Sequence, residues 1–140
     1  MTPAMTAQEI AAFLSAKFPR VADRMVHDRL DDSMLHLRLA VSGRHLRPGG
    51  TISAPSMFAL ADVAAFLAIL PLIGPVALAV TTGAVIDFPR KPAPHSDLRA
   101  EERVLKPGRV PAVADALIYS VGMAKQVARA SLTCSIPPPR

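Results

Sequence analysis

The chain has 140 residues, of which 51% are hydrophobic and only 4% aromatic, and its formal charge at pH 7 is +5. We expect one domain, residues 1–140, with an aliphatic core and enough apolar surface for a subunit interface. The charge favours anionic partners, but one tyrosine, no tryptophan and no zinc-finger or RNA-binding motif argue against nucleic acid. With no basic apolar leader and a single cysteine, which cannot form an intrachain disulfide, we expect a cytoplasmic protein.

The first part of the chain predicts a helix followed by a β-hairpin. Thr6 and Glu9 have the spacing of a capping box, so we expect a helix over about residues 6–18 with one apolar face. From residue 34 to 41, leucines alternate with other residues, which is the period of a half-covered antiparallel strand. Pairing of this strand with residues 23–30 completes the predicted hairpin.

The central apolar segment, residues 57–80, contains a single charged residue, Asp62. About 20 apolar residues can cross a bilayer, so a membrane span has to be considered. Pro71 shortens the predicted helix to about residues 56–70, and a carboxylate in lipid would cost about 2.5 to 3.5 kcal/mol. We therefore predict a buried helix of a soluble domain, with Asp62 held in apolar surroundings. The preceding Gly- and Pro-rich segment, 42–50, predicts a loop whose backbone closely approaches a neighbour.

The second half of the chain predicts strands separated by turns that contain proline or glycine. The strand-like runs cover residues 76–88, 97–105, 110–121 and 125–136. The proline-rich tail, about residues 137–140, cannot pair in a sheet and is expected to be extended or disordered. An order of helix, two strands, long helix and four strands predicts an α+β fold in which an antiparallel sheet curls around the central helix.

Several short motifs occur in order along this pattern. They are L-A-D at residues 60–62, V-T-T at 80–82, F-x-R-K-P at 88–92 and K-P-G-R at 106–109. In this order and spacing they resemble the hotdog-fold acyl-CoA thioesterases of the PaaI-like, phenylacetate-degradation group. The resemblance implies a hotdog fold, hydrolysis of an acyl-CoA thioester without a cofactor, no membrane partner, and a homodimer or a homotetramer built as a dimer of dimers.

The family pattern Asn-x-x-Gly-x-x-His-Gly-Gly, followed by a Leu-Ala-Asp helix, fits this chain only in part. Gly50 matches the family glycine and Asp62 the catalytic carboxylate. Arg47 stands at the family Asn, and Ser-Ala-Pro at residues 53–55 replaces His-Gly-Gly. The loss of the Asn and His side chains removes positioning groups worth on the order of 10- to 1000-fold in rate each, by analogy with oxyanion-hole deletions. The resemblance makes Arg47, Gly50 and Ser53 candidate substrate contacts.

The same resemblance implies a role for each residue of the candidate site. The thioester carbonyl would lie at the backbone N–H of Ala54, while Asp62 of the other subunit acts as general base or nucleophile and Thr81 helps to place the water. Simpler interpretations stand beside these roles. Asp62 would hold a dimer contact in register, Thr81 would be a strand residue chosen for β-propensity, and Ser53 would cap the helix, which its residue type favours over a nucleophilic role.

A set of basic residues lies at strand ends or turns of the predicted pattern. Each is either part of a solvated rim or a ligand of the coenzyme A phosphates, and the set is Arg90, Lys91, Lys106 and Arg109. The four histidines are widely separated, so no metal site is predicted, and Cys134 is interpreted as a buried apolar residue. Because the family motif is incomplete, a non-catalytic acyl-CoA-binding protein is the alternative to a thioesterase.

Overall fold

The computed structural model of the protein describes residues 6–17, 19, 24–31, 34–73, 80–106 and 111–135. These residues form two α-helices, six strands and a short 3-10 helix at Gly43–His45. The helices and strands are α1 (Ala7–Lys17), β1 (Met25–Asp31), β2 (Met34–Leu39), α2 (Ala54–Ile73), β3 (Val80–Asp87), β4 (Leu98–Lys106), β5 (Ala112–Ser120) and β6 (Ala128–Ser135). The predicted order of elements is confirmed. The predicted start of the third strand, the turn after β4 and the tail after residue 136 lie outside the described residues.

Helix α1 begins at the predicted capping box. The Thr6 backbone N–H donates to Glu9 Oε1 at 3.1 Å, and the Glu9 N–H donates to Thr6 Oγ1 at 3.2 Å. Two donors that lack an intrahelical partner are therefore satisfied at once. The apolar face of α1 packs onto α2, where the Phe13 ring stacks on the Phe66 ring with 6.0 Å between centroids.

The six strands form one antiparallel sheet in the order β1-β2-β4-β5-β6-β3. Helix α2 packs across one face of this sheet, against β2, β4, β5 and β6. Alternate residues of the strands point toward the helix and are buried, as the period of two predicted; they include Leu35, Leu37, Leu39, Ala112, Ala114 and Ala116. Strand β3 is at one edge, and nearly all of its side chains are exposed.

Helix α2 is longer than predicted, because it begins at Ala54 and extends past Pro71 to Ile73. Leu67 and Leu70, which precede the proline, are fully buried. Pro71 removes one helical hydrogen bond, at a cost of about 3 kcal/mol, and only two residues of the helix follow it. No helix in the described part of the chain has the length and apolarity needed to cross a membrane.

The loop before α2 is closed by two backbone hydrogen bonds. The Arg47 N–H donates to Thr51 O at 2.8 Å, and the Gly50 N–H donates to Arg47 O at 3.0 Å. Gly49 and Gly50 have φ angles of 102° and 85°, and a Cβ on either would meet no other atom within 4 Å. The close backbone approach predicted for this loop therefore does not involve the described residues of the same chain, and an approach to another molecule stays a prediction. The glycines are needed because other residues rarely adopt this left-handed backbone.

Candidate active site

The N-terminus of α2 is capped by Ser53, as its residue type predicted. The Ser56 N–H donates to Ser53 Oγ at 3.3 Å, and the Met57 N–H donates to Ser53 O at 3.2 Å. The Ser53 N–H in turn donates to His45 O at 2.8 Å, which ties the helix end to the preceding loop. The Ser53 hydroxyl is therefore engaged in holding the helix start.

Ala54 is the first residue of α2 and is exposed. Its backbone N–H belongs to the first turn, where no helix carbonyl is available, and lies at the positive end of the helix dipole. A cavity of about 310 Å³ adjoins this helix end, with Pro55 and Ala59 on one side and Met25 and Leu39 on the other. The helix start thus offers a backbone donor beside a partly apolar cavity.

Asp62 and Thr81, which were assigned from separate motifs, lie in direct contact. Thr81 is the second residue of β3, and its Oγ1 donates a hydrogen bond of 2.6 Å to Asp62 Oδ1. The Asp62 side chain is half-buried within a single chain, and its full enclosure, expected with a second subunit, stays a prediction. The hydrogen bond places this side chain on the side of α2 that faces the edge strand.

Cys134 lies behind this pair. It is the register partner of Thr81 on β6, with 4.0 Å between its Sγ and Thr81 Oγ1, and it is 2% exposed. Burial raises the pKa of the Cys134 thiol, its side-chain contact with Thr81 opposes this, and the nearby carboxylates of Asp62 and Glu102 raise it further. The thiol therefore stays protonated, which agrees with its interpretation as a buried apolar residue.

Glu102 is a buried acid that the sequence reasoning missed. It lies on the helix-facing side of β4, is 0% exposed, and neither carboxyl oxygen has a hydrogen-bond partner among the described residues. Burial raises the pKa of Glu102 well above its usual range, and the charges of Asp115 and then Asp62 add to the effect. The acid is thus held neutral close to the candidate base. The alternation along β4 places residues 98, 100, 102 and 104 on the inward face, and this pattern could have identified Glu102 as a buried acid.

The three predicted basic residues whose backbone the structure describes lie at two ends of the sheet. Arg90 and Lys91 are exposed, line one groove, and follow β3 at the end of the sheet where β4 begins. Lys106 is the last residue of β4, and nine strand residues span roughly 30 Å, so it lies at the opposite end. Arg109 lies outside the described residues.

Only the comparison with solved structures finds proteins similar to this chain. No protein-family model matches the chain, and no curated protein does. A candidate thioesterase from Silicibacter sp. TM1040 is 46% identical, with a TM-score of 0.91 over 99% of this chain and 96% of that one. The PaaI protein of the E. coli phenylacetic acid degradation operon has 20% identity and a TM-score of 0.82, with 98% and 97% of the two chains covered. Zebrafish thioesterase superfamily member 2 also has 20% identity, with a TM-score of 0.83 and 95% and 99% covered. The last two show the fold alone, and the predicted hotdog fold is confirmed.

Proposed function

Because this chain belongs to the thioesterase superfamily of hotdog proteins, we propose that it hydrolyses acyl-CoA thioesters with Asp62 as the catalytic carboxylate. The observation that carries the proposal is the 2.6 Å hydrogen bond from Thr81 to Asp62, at a half-exposed position beside the edge strand. This bond restrains the orientation of the carboxylate. An acid held in this way is suited to accept a proton from water.

The proposed site needs two copies of the chain. Ala54 and Asp62 are eight residues apart on α2, which corresponds to about 12 Å along the helix axis, so they cannot both contact one thioester carbonyl. Strand β3 has one unpaired edge and exposes Val80 and Val85, which are 58% and 66% accessible. An unpaired apolar edge favours pairing with a second strand. In such a dimer, Ala54 of one subunit and Asp62 of its partner would face one substrate.

The reaction follows from these positions. The N–H of Ala54 donates to the thioester oxygen and stabilises the negative charge that develops there. Asp62 removes a proton from a water as the water attacks the carbonyl carbon, and the hydroxyl of Thr81 keeps the carboxylate in place. The carbon–sulfur bond then breaks, and the thiolate of coenzyme A takes up the proton. Direct attack by Asp62, with hydrolysis of the resulting anhydride, is the other route open to the same residue.

The test is release of free thiol from CoA thioesters whose acyl groups vary in length and ring content. We expect turnover of at least one acyl class by the purified protein. The Ser-Ala-Pro sequence at residues 53–55 favours one competing function, a protein that binds acyl-CoA without cleaving it. Binding of the thioesters with no turnover across the panel would establish that competing function instead.

Thr81→Val should lower kcat by about 10- to 150-fold with little change in KM. A hydrogen bond to a charged group contributes about 1.5 to 3 kcal/mol, which gives this range of rates. Thr82→Val is the matched control, because the Thr82 hydroxyl donates to Thr133 O at 3.3 Å and does not contact Asp62. Steady-state thiol release by both variants is the measurement, and equal losses in the two would remove Thr81 from the site.

A further inference from the structure

The cavity at the start of α2 lies along the first turns of the helix. Pro55 and Ala59 are four residues apart, so both face the same side of α2, and they form one wall. Met25 and Leu39, which pair where β1 begins and β2 ends, form the other wall. We call this space, of about 310 Å³, the helix-start cavity. It extends along α2 from Ala54 to Ala59, which corresponds to about 7.5 Å of helix axis.

Three polar side chains of the helix-start cavity are hydrogen-bonded within the chain. The hydroxyls of Ser53 and Ser56 lie 2.8 Å apart, and Ser56 Oγ donates to His45 O at 3.4 Å. His45 Nδ1 accepts a hydrogen bond of 2.9 Å from the Ser42 N–H. An apolar ligand therefore leaves each of these atoms with a partner, and the cost of an unsatisfied polar group is avoided. The described lining residues include one charged side chain, Arg44, which is exposed, so an uncharged ligand need not neutralise it.

The volume of the helix-start cavity limits the size of its ligand. An aliphatic cavity of about 150 Å³ holds one benzene ring. The helix-start cavity has about twice this volume, at the lower end of the range for small-molecule sites, which corresponds to an acyl group of at most about twelve carbon atoms. Coenzyme A, with its nucleotide and phosphates, is too large and too highly charged for this space. Of a thioester bound at Ala54, the acyl group is the part that fits.

We propose that the helix-start cavity holds the acyl group, that Ala59 limits the length of this group, and that the substrates are thioesters of uncharged acyl groups of short or medium length. The assignment rests on the proposed function and deepens it, because it names the substrate class and the residue that selects it. Alanine is the smallest residue with a high helix propensity. Position 59 therefore leaves room beside Met25 and Leu39 that a larger side chain would fill.

The test measures kcat/KM for acetyl-, hexanoyl- and tetradecanoyl-CoA. For the wild type we expect the highest value with hexanoyl-CoA and a value at least about 10-fold lower with tetradecanoyl-CoA, because one methylene in an apolar pocket already changes discrimination by about 10- to 200-fold. Ala59→Leu should lower kcat/KM for hexanoyl-CoA at least about 10-fold and leave that for acetyl-CoA unchanged, because leucine occupies the space of the longer chain. Met25→Ala widens the cavity from the other wall and should raise kcat/KM for tetradecanoyl-CoA.

Ala12→Leu is the matched control, since Ala12 is exposed on α1 and does not line the cavity, and it should keep the wild-type profile. An equal loss with acetyl- and hexanoyl-CoA in Ala59→Leu, or an unchanged profile, overturns the assignment and leaves hydrolysis intact. If Ala59→Leu does not fold, a wild-type profile in Met25→Ala overturns it in the same way. A wild type that prefers adipoyl-CoA to hexanoyl-CoA, which has the same length without the terminal carboxylate, overturns the uncharged class.

Binding separates this assignment from the proposed reaction if the wild type cleaves none of these thioesters. The proposed reaction then fails, and calorimetry with acetyl- and hexanoyl-CoA tests the cavity. An affinity at least about 10-fold higher for hexanoyl-CoA in the wild type and in Ala12→Leu, but not in Ala59→Leu, supports the assignment. A difference that persists in Ala59→Leu, equal affinities in the wild type, or no binding at all refutes it.

Discussion

Asp62→Asn is expected to lower kcat by about 10²- to 10⁴-fold, with a much smaller change in KM. That range is what a positioned general base contributes, and a carboxamide cannot accept the proton of the attacking water. The variant keeps the size of the side chain and an oxygen that can accept the Thr81 hydrogen bond. The measurement is the release of free thiol at a saturating concentration of acyl-CoA, with active wild-type protein assayed in parallel.

Asp28→Asn is the matched control for this experiment. Asp28 is an exposed acid on β1 that lies 3.5 Å from the Arg38 guanidinium, so the variant loses the same charge away from α2. We expect its kcat to equal that of the wild type, since an exposed ion pair contributes little to stability. Wild-type activity in Asp62→Asn would exclude Asp62 as base or nucleophile, whatever the control shows.

Glu102→Leu should raise the free energy of unfolding at pH 7 by about 1 to 3 kcal/mol. Both carboxyl oxygens are buried without a partner, and an unsatisfied buried polar group carries a penalty of this size. Leucine fills a similar volume among the neighbouring Leu35 and Ala116 and has no polar atoms to satisfy. Urea unfolding followed by circular dichroism measures the change. Most core substitutions destabilise a protein, so an increase in stability would be strong support for this prediction.

The contribution of Glu102 to the free energy of unfolding should also depend on pH. Below the ordinary value of 4.5, the acid is protonated in both the folded and the unfolded chain. Above it, the unfolded chain loses this proton while the buried group keeps it, because burial raises the pKa of Glu102 in the folded protein. The unfolded state then binds fewer protons, so this residue lowers stability by up to about 1.4 kcal/mol per pH unit until the folded-state pKa is reached.

Glu102→Gln isolates this pH dependence, because glutamine keeps the shape and has no proton to lose. We expect the advantage of Glu102→Gln over the wild type to grow as the pH rises from 4.5 toward 8. Unfolding curves at half-unit intervals give the slope for each protein. Parallel slopes for the two proteins would show that Glu102 ionises in the folded state as readily as in the unfolded one.

Much of the fold follows from local patterns that tertiary contacts leave unchanged. The capping box at Thr6 and Glu9 forms as its spacing requires, and the leucines from 35 to 39 face the core as their alternation requires. The end of α2 does not follow from local preference, because the helix continues past Pro71 to Ile73 although proline disfavours a helix interior.

The sequence by itself determined the order of the elements and the hotdog resemblance, and it singled out Asp62 and Thr81 as candidates, because hydrophobic period and short motifs are local properties. The contact between those two side chains, the isolation of Lys106 from Arg90, and the burial of an unpaired Glu102 were decided only by the tertiary structure. All three depend on which strands become neighbours and which end of each strand meets the helix start. Strand order β1-β2-β4-β5-β6-β3 sets those distances, and it joins residues far apart in the chain.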